Sequence, residues 1–168
     1  APLIKLMDSK LNDEDHIGGC GLGVAFSDPN PDPDLGRVTY TLIDIGNESV
    51  PHLINLLHGN NLNLKKLALR ALARIKVPDR DAIEFSLNAL KDNDYKMRKY
   101  AIDALKSFGY ADERTVDALI KILKDKNPHV RIEACDALGE IRNKPDISIP
   151  ALLEVINTDS EQYVRSSA

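Results

Sequence analysis

Tryptophan is absent from the sequence, and aromatic residues make up only 5% of its 168 residues. Because β-sandwiches and barrels commonly bury large aromatic side chains, this scarcity favours a core of Leu, Ile, Val and Ala. There is no apolar run as long as a transmembrane helix would need, and no charged segment followed by an apolar one that would indicate a signal peptide. Charged residues make up 29% and apolar residues 43%, which is typical of an ordered, soluble chain with no membrane association.

Cysteine is also scarce, with Cys20 and Cys135 far apart in the sequence. The two form no CxxC motif and no disulfide framework. Both occur in apolar-patterned stretches, so we interpret them as buried free thiols. Free thiols favour a reducing compartment, and we expect the protein to be cytoplasmic.

Charge is unevenly distributed along the chain, although the net charge is only −4. Residues 1–36 carry two basic and seven acidic side chains, whereas residues 64–106 carry eleven basic and six acidic ones. The acidic total argues against a dedicated nucleic-acid-binding protein. The central basic block leaves a smaller anionic partner open.

Apolar side chains recur at a constant interval along the chain, which we call the repeat interval. For example, Val50, Ile83 and Val116 are equally spaced. Within each copy they are spaced i, i+3, i+4 and i+7, which predicts an amphipathic helix, here called helix A. The four copies are Val50, Leu53, Ile54 and Leu57; Ile83, Ser86, Leu87 and Leu90; Val116, Leu119, Ile120 and Leu123; and Ile149, Leu152, Leu153 and Ile156. Ser86 is the one polar exception.

A second helix, helix B, is predicted after each helix A by columns with the same interval. Two of these columns are alanine, which allows neighbouring helices to approach closely while larger side chains fill the core. The columns are Leu64, Met97 and Val130; Ala68, Ala101 and Ala134; Ala71, Ala104 and Ala137; Leu72, Leu105 and Leu138; and Ile75, Phe108 and Ile141. A fourth helix B starts at Val164, one position late.

The column before each helix-A stripe contains Ser49, Thr115 and Ser148, which we predict to be N-caps. Ala82 breaks this column, and Asp79 or Asp81 could cap that helix instead. Pro51 and Pro150 would then lie in the first helical turn, where proline loses no hydrogen bond.

These patterns predict an all-α fold, a right-handed α-α superhelix of antiparallel helix pairs. One hairpin cannot bury its apolar face alone, whereas stacked hairpins can. We expect one array over residues 1–168, with an irregular segment at 1–47, repeats at 48–80, 81–113 and 114–146, and a truncated repeat at 147–168. Both ends begin or stop within a helical pattern, as expected of a fragment.

The repeat resembles a known family. The motif Asp125-x-Asn127-Pro128-x-Val130-Arg131, followed by Ala134-x-x-Ala137-Leu138-Gly139-x-Ile141, is similar to the short HEAT-like repeat, also called the PBS-lyase HEAT-like repeat. The resemblance covers about residues 38–168 and implies a HEAT/armadillo-like solenoid. Members of the family include bilin lyase subunits, an iron-dependent hydroxylase and scaffolds, so the resemblance predicts fold better than function.

The N-terminal third fits the repeat less well. Residues 2–7 resemble helix A, and Asp34 to Ile45 resemble helix B, with Val38, Thr41, Leu42 and Ile45 in the apolar columns. The glycine stretch between residues 17 and 26 has no strand before it and no Gly-Lys-Ser/Thr after it, so we favour close packing or a loop over a phosphate site. The Asp-Pro segment at 27–34 lacks the central Gly and final Glu of a calcium loop, which favours an extended linker.

Catalytic and metal-binding motifs are missing. His16, His52, His58 and His129 form no HExxH motif, and none is followed by Glu. The family that the repeat resembles includes an iron-dependent hydroxylase, which uses repeated His-Glu pairs as its metal ligands. This chain has no such pair. No nucleophile elbow is visible. We therefore predict a protein that is not an enzyme and that needs no cofactor or metal.

One basic residue per repeat occupies the start of helix B, at Lys65, Arg98, Arg131 and Arg165. Two interpretations stay open. The column could bind an anion such as nucleic acid, reinforced by Lys66, Lys99, Arg70 and Arg74. Alternatively, and in our view preferably, it is a ladder in which each cation binds loop carbonyls or carboxylates such as Asp92 or Asp125 and connects the repeats.

The resemblance implies that B helices line the concave side of the solenoid. This makes their outward side chains the candidate partner-binding residues: Lys66, Arg70, Lys99, Asp103, Glu133 and Asp136. We expect a non-catalytic scaffold that binds another protein there. The first alternative is a bilin-lyase-like subunit or chaperone holding a tetrapyrrole or client protein. The second is an anion or nucleic-acid binder.

Overall fold

A computed structural model describes residues 33–109, 112–141 and 144–168, with side chains from residue 38 onward. The chain forms two compact units, residues 1–38 and 39–168. Several sequence features lie outside the described residues, namely the helix-A-like segment at 2–7, the glycine stretch, most of the Asp-Pro segment, His16 and Cys20. For residues 1–32, membership of the repeat array stays a prediction.

Helices form the described structure, with no strand between residues 33 and 168 outside the two short gaps. They are α1 (Pro33–Ile45), a 3-10 helix (Gly46–Ser49), α2 (Val50–His58), α3 (Leu62–Ile75), α4 (Arg80–Ala89), α5 (Tyr95–Ser107), α6 (Glu113–Ile122), α7 (Pro128–Ile141), α8 (Pro145–Thr158) and α9 (Gln162–Ser167). The predicted A helices are α2, α4, α6 and α8, and the predicted B helices are α3, α5, α7 and α9.

The unit from residue 39 to 168 is a solenoid of helical hairpins, as predicted. Each A helix packs against the B helix of its own hairpin, and each B helix packs against the B helix of the next hairpin. Contacts between successive A helices are sparser. Since each hairpin contacts only its neighbours, the core is a continuous seam along the array.

The alanine columns of helix B form the centre of this seam. Every alanine in the two columns is fully buried, and Leu72 and Leu105 beside them are equally inaccessible. Burial of a leucine side chain stabilises a fold by about 2 kcal/mol. The small alanine side chains bring the helix backbones together, so that these leucines fill the space between layers.

Helix A contributes the second layer. Leu53 and Leu119 are fully buried, and so is Ser86 in the same column. The Ser86 hydroxyl donates a hydrogen bond of 2.7 Å to the carbonyl of Ala82. Because its hydroxyl is hydrogen-bonded within the helix, Ser86 can be buried in the core at little cost in free energy.

The helix caps differ from the prediction made for Ser49, Thr115 and Ser148. These residues are buried within the helical turns, and none caps a helix with its side chain. The Asp79 and Asp112 side chains instead accept hydrogen bonds from the first turns of α4 and α6. Helices α6 and α8 begin before Thr115 and Ser148, and these two side chains are buried, where small side chains fit. Ser49 does occupy the position before α2, but its hydroxyl donates to the carbonyls of Leu42 and Gly46.

Pro150 also lies elsewhere than predicted. Helix α8 begins at Pro145, so Pro150 lies inside the helix and not in its first turn. Lys144 precedes the helix with φ 56°, and Pro145 suits the first helical position because its ring fixes φ. Pro150 has no N–H to donate to the carbonyl of Asp146, which removes one helical hydrogen bond.

Helix α1 is helical where predicted, but three of its four predicted core positions are not buried. Leu42 is buried, whereas Val38, Thr41 and Ile45 are not. Thr39 is buried instead. The column assignment therefore fails at three of its four positions in α1, and a residue outside the columns is buried there.

Candidate interaction surface

Arg98, at the start of helix α5, lies between two hairpins. Its Nε and Nη2 atoms donate to the carboxylate of Asp125 at 2.7 and 2.8 Å, and its Nη1 donates to the carbonyls of Asp92 and Asn93 at 2.8 and 3.1 Å. The residue is only 4% exposed. A bidentate pair in a buried position connects the hairpins rigidly and leaves little of the guanidinium accessible to another anion.

Arg131 repeats this arrangement one hairpin later. Its Nε and Nη2 donate to Asp159 at 2.7 and 2.8 Å, and its Nη1 donates to the carbonyl of Asp125 at 2.9 Å. The hydrogen bond from Arg131 lowers the pKa of Asp159 below its ordinary value, and the bond to Asp159 raises the pKa of Arg131. Each effect favours the charged form of the pair.

The two outer members of the basic column differ from Arg98 and Arg131. The Lys65 ammonium lies 5.5 Å from the centre of the Phe85 ring, a cation–π geometry. Arg165 donates through Nη1 to the carbonyls of Asp159 and Ser160 at 2.7 and 3.2 Å. Arg98 and Arg131, the two inner members of the column, are therefore the ones that bind a carboxylate of the next hairpin.

Lys66, predicted to face a partner, is buried. Its ammonium forms an ion pair with Asp94, the residue that caps helix α5. Burial tends to raise the pKa of Asp94, but hydrogen bonds from Lys66 and from the Lys96 amide outweigh it and lower this pKa. The expectation that Lys66 faces outward was wrong, because its side chain is covered where it pairs with Asp94 of the next hairpin.

The other predicted partner-binding residues lie on the B helices with partly open side chains. The Arg70 guanidinium lies 5.5 Å from the centre of the Tyr100 ring. Lys99 and Glu133 form a salt bridge of 3.1 Å from one B helix to the next. Asp103 lies 4.0 Å from Lys106.

Further along, Asp136 is exposed and accepts a hydrogen bond of 3.3 Å from the Ser167 hydroxyl. Sequence reasoning missed Lys106, which also pairs with Glu140 at 3.5 Å, and it missed Asp159 as the partner of Arg131. The salt bridges of Lys99 and Lys106 join residues with the same separation in the sequence, one position more than the repeat interval. This common separation could have indicated them.

We name the outward side chains of α3, α5 and α7 the helix-B surface: Arg70, Arg74, Lys99, Asp103, Lys106, Glu133, Asp136 and Glu140. Of these side chains, the two on α3 are basic, those on α5 are two basic and one acidic, and the three on α7 are acidic. The sign of charge therefore reverses along the surface.

The described residues contain no group of three or more His, Cys, Asp and Glu that could hold a metal ion. Cys135 is buried as predicted, and burial raises the pKa of its thiol to about 11. A thiol in that state is a poor nucleophile at neutral pH. His52, His58 and His129 are exposed. Within the described ranges, no helix has the length and apolarity needed to cross a bilayer.

Comparison with known proteins identifies the repeat. The sequence matches HEAT repeats over residues 50–115 and 83–168. One similar solved structure is the complex of CpcE and CpcF of phycocyanin lyase from Nostoc sp. PCC7120, with a TM-score of 0.68, 23% identity, and coverage of 82% of this chain and 88% of that chain. Another is an engineered protein with a TM-score of 0.58, 24% identity, and coverage of 84% and 72%. A search of curated proteins found no match. The matched residues span most of the sequence, and the chain belongs to the HEAT-repeat family.

Proposed function

We propose that this protein is a non-catalytic scaffold that binds another protein through its helix-B surface. The observation that carries this proposal is the reversal of charge between α3 and α7 on a surface built from successive, closely packed helices. A surface that is basic at one end and acidic at the other selects both the partner and its orientation.

The helix-B surface is held in place before any partner arrives. Salt bridges from Lys99 to Glu133 and from Lys106 to Glu140 link α5 to α7, and Arg70 lies over Tyr100 of the next B helix. Side chains that are already ordered lose less entropy on binding. This arrangement suits a broad protein partner.

The partner that fits is a protein segment with acidic side chains opposite α3 and basic side chains opposite α7. Arg74 is exposed at the basic end of the helix-B surface, and Glu140 is exposed at its acidic end. The similar solved structure of CpcE and CpcF is itself a complex of two proteins, which supports a protein as the class of partner.

The test replaces charges at both ends of the helix-B surface. In one variant Arg70 and Arg74 become Glu, and in a second Asp136 and Glu140 become Lys. Proteins captured from a lysate of the source cells by the tagged chain are quantified by mass spectrometry. We expect a specific set to fall at least about tenfold with both variants.

A matched control changes charges on a helix-A surface, with Asp117→Lys and Lys121→Glu on the exposed side of α6. This control should retain the captured set, and all variants should keep helical circular dichroism and similar melting temperatures. The proposal fails if the helix-B variants capture the same proteins as the parent chain.

A second candidate function is a phycocyanin-lyase-like subunit that holds a tetrapyrrole. Its support is the similarity to the CpcE–CpcF structure over 88% of that chain. Co-expression with a tetrapyrrole-producing system, followed by absorbance spectroscopy of the purified chain, tests it. Visible absorbance that copurifies with the protein is the expected result, and a colourless protein removes this candidate.

Binding of nucleic acid through the basic column has less support. The Arg98 and Arg131 guanidinium groups are occupied by Asp125 and Asp159. A fluorescent oligonucleotide titrated at two salt concentrations checks this, because phosphate binding weakens steeply with salt. We expect no saturable binding at physiological ionic strength.

A further inference from the structure

The turns that join each helix A to its helix B lie side by side along one edge of the solenoid. At successive junctions, a basic residue near the start of one B helix pairs with an aspartate of the next turn: Lys66 with Asp94, Arg98 with Asp125, and Arg131 with Asp159. Each turn is therefore next to the following one. We name the row formed by residues 58–62, 91–95 and 124–128 the turn edge.

The turn edge presents positive charge to solvent. Its exposed charged residues are all basic, namely Lys91, Lys124 and Lys126. Its acidic side chains are less accessible, because Asp94 and Asp125 pair with basic residues of the B helices. The Asp92 carboxylate accepts a hydrogen bond of 2.8 Å from the Asp94 amide. This edge therefore attracts anionic groups, although the net charge of the protein is −4.

The exposed lysines of the turn edge are available to a ligand. Among the described residues, Lys91 and Lys126 form no salt bridge. Lys124 pairs with Glu154 at 3.3 Å, but both side chains are more than half exposed. A surface pair of this kind contributes little stability, so a carboxylate of a ligand can replace Glu154 at low cost.

An apolar column runs beside these lysines. Leu62 and Tyr95 are the first residues of α3 and α5, and they occupy equivalent positions in successive repeats. They are 43% and 40% exposed. Pro128, the first residue of α7, continues the column. The turn edge therefore offers an apolar contact and a cation in more than one repeat.

We propose that the turn edge binds an extended, acidic segment of another protein. Packed helices lie about 8 to 10 Å apart, and a polyproline II segment advances about 9 Å in three residues. A segment with an apolar side chain at every third position therefore places these side chains on Leu62, Tyr95 and Pro128 in turn. Its carboxylates contact Lys91 and Lys126. This site uses none of the helix-B surface residues and does not rest on the proposed function.

An acidic peptide fits the turn edge better than single-stranded nucleic acid or an anionic membrane does. Base stacking uses aromatic rings at successive sites, and Tyr95 is the aromatic residue among the three equivalent positions. An interfacial membrane site buries a broad apolar face. The turn edge exposes two large apolar side chains, those of Leu62 and Tyr95, which suits a narrow ligand.

The probe for the test is a fluorescein-labelled peptide of Glu-Pro-Leu repeats, which has one acidic and one apolar side chain in every turn of a polyproline II helix. Its binding to the full chain is followed by fluorescence anisotropy at low and at high salt. We expect saturable binding that weakens as salt is added, because salt screens exposed charges. A peptide of Lys-Pro-Leu repeats should not bind.

Substitutions identify the site. Lys91→Glu combined with Lys126→Glu should weaken binding of the acidic peptide at least about tenfold, and this variant should bind the Lys-Pro-Leu peptide better than the parent chain does. Leu62→Ser should weaken binding about fivefold, since an apolar contact is lost. The control combines Arg80→Glu with Lys121→Glu, which makes the same change in net charge at exposed positions of α4 and α6. It should leave binding unchanged.

Three results would overturn the proposal. The first is that the Glu-Pro-Leu peptide does not bind. The second is that the control variant weakens binding as much as the turn-edge variants do. The third is that a single-stranded oligonucleotide or vesicles of phosphatidylserine bind more tightly than the peptide and depend on the same lysines. Capture of proteins by the helix-B surface is measured separately, so the two proposals fail independently.

Discussion

Individual arginines determine how successive hairpins are joined. Arg98 and Arg131 each combine a bidentate carboxylate contact with carbonyl contacts to the turn before their helix. A cation near a helix N-terminus opposes the helix dipole, and the carboxylate supplied by the next hairpin offsets this cost. The same residue therefore stabilises its own turn and fixes the neighbouring repeat.

Replacement of Arg98 should be much more damaging than replacement of Lys65 in the same column. Arg98→Met leaves the Asp125 carboxylate, whose side chain is only 8% exposed, without its partner, and we expect a loss of about 3 kcal/mol in the free energy of unfolding. Lys65→Met removes a partly exposed cation–π contact and should cost less than about 1 kcal/mol. Urea denaturation monitored by circular dichroism measures both, and equal losses would contradict the assignment.

The Arg131–Asp159 pair should make stability depend on acid pH. The folded-state pKa of Asp159 lies below its ordinary value of 3.8. The pair therefore stabilises the fold above that pH, and its contribution disappears as the pH falls through the folded-state pKa. The difference in urea midpoint between the parent chain and Asp159→Asn should be largest near neutral pH and shrink below about pH 4.

The control for this pH dependence is Asp117→Asn on the exposed side of α6. Its urea midpoint should follow that of the parent chain over the whole pH range. A difference between Asp159→Asn and the parent chain that persists unchanged into acid would mean that the carboxylate charge is not what stabilises this junction.

At the scale of helices, the B-to-A turns depend on residues in the left-handed backbone region. Lys76 follows α3 with φ 59°, and Gly109 follows α5 with φ 61°. The two residues are equivalent in successive repeats and play the same part in ending helix B. Glycine adopts this conformation without strain, whereas a lysine there is strained by about 1 kcal/mol.

Exchange of residue type at these two turns should have opposite effects. A Cβ at Gly109 would meet no atom within 4 Å, so Gly109→Ala should destabilise by about 1 kcal/mol through backbone strain alone. Lys76→Gly should stabilise by about 0.5 kcal/mol, since relief of strain is partly offset by greater freedom of the unfolded chain. Urea midpoints measure both, and a neutral Gly109→Ala would refute the conformational explanation.

At the scale of the whole described unit, burial decreases toward its C-terminal end. Among the A helices, α4 buries Ala82, Ile83, Ser86 and Ala89, whereas α8 buries only Ser148 and Val155. In a linear array each hairpin is stabilised by its own contacts and by its neighbours. The hairpin of α8 and α9 therefore has the least support among the described hairpins.

Hydrogen exchange should report this gradient. We expect amides of α8 to exchange at least about tenfold faster than those of α4, the A helix with the most buried residues, because the hairpin of α8 and α9 can open without opening of the others. Exchange measured by mass spectrometry over time gives both rates. Uniform protection from α2 to α9 would show a single cooperative unit and contradict this expectation.

Most of the fold could be predicted from the constant repeat interval. Helix type, hairpin order and the buried alanine and leucine columns followed from spacing, because amphipathic helices are encoded by neighbouring residues in the chain. Asp79 was among the caps expected for α4, whereas Asp112 was not expected for α6. Ser and Thr are good caps wherever a helix starts, which favoured Thr115, but α6 already begins at Glu113.

The sequence by itself determined that helices would form and stack. The spacing of apolar residues that makes a helix amphipathic involves residues that are close together in the chain. Asp125 was expected as a partner of the basic column from the sequence, but only the tertiary structure decided which other charges meet. Lys66 is buried against Asp94, Arg131 binds Asp159, and Lys99 and Glu133 are joined. Each of these pairs joins two different hairpins, and the distance between its members is set by how one hairpin rests on the next.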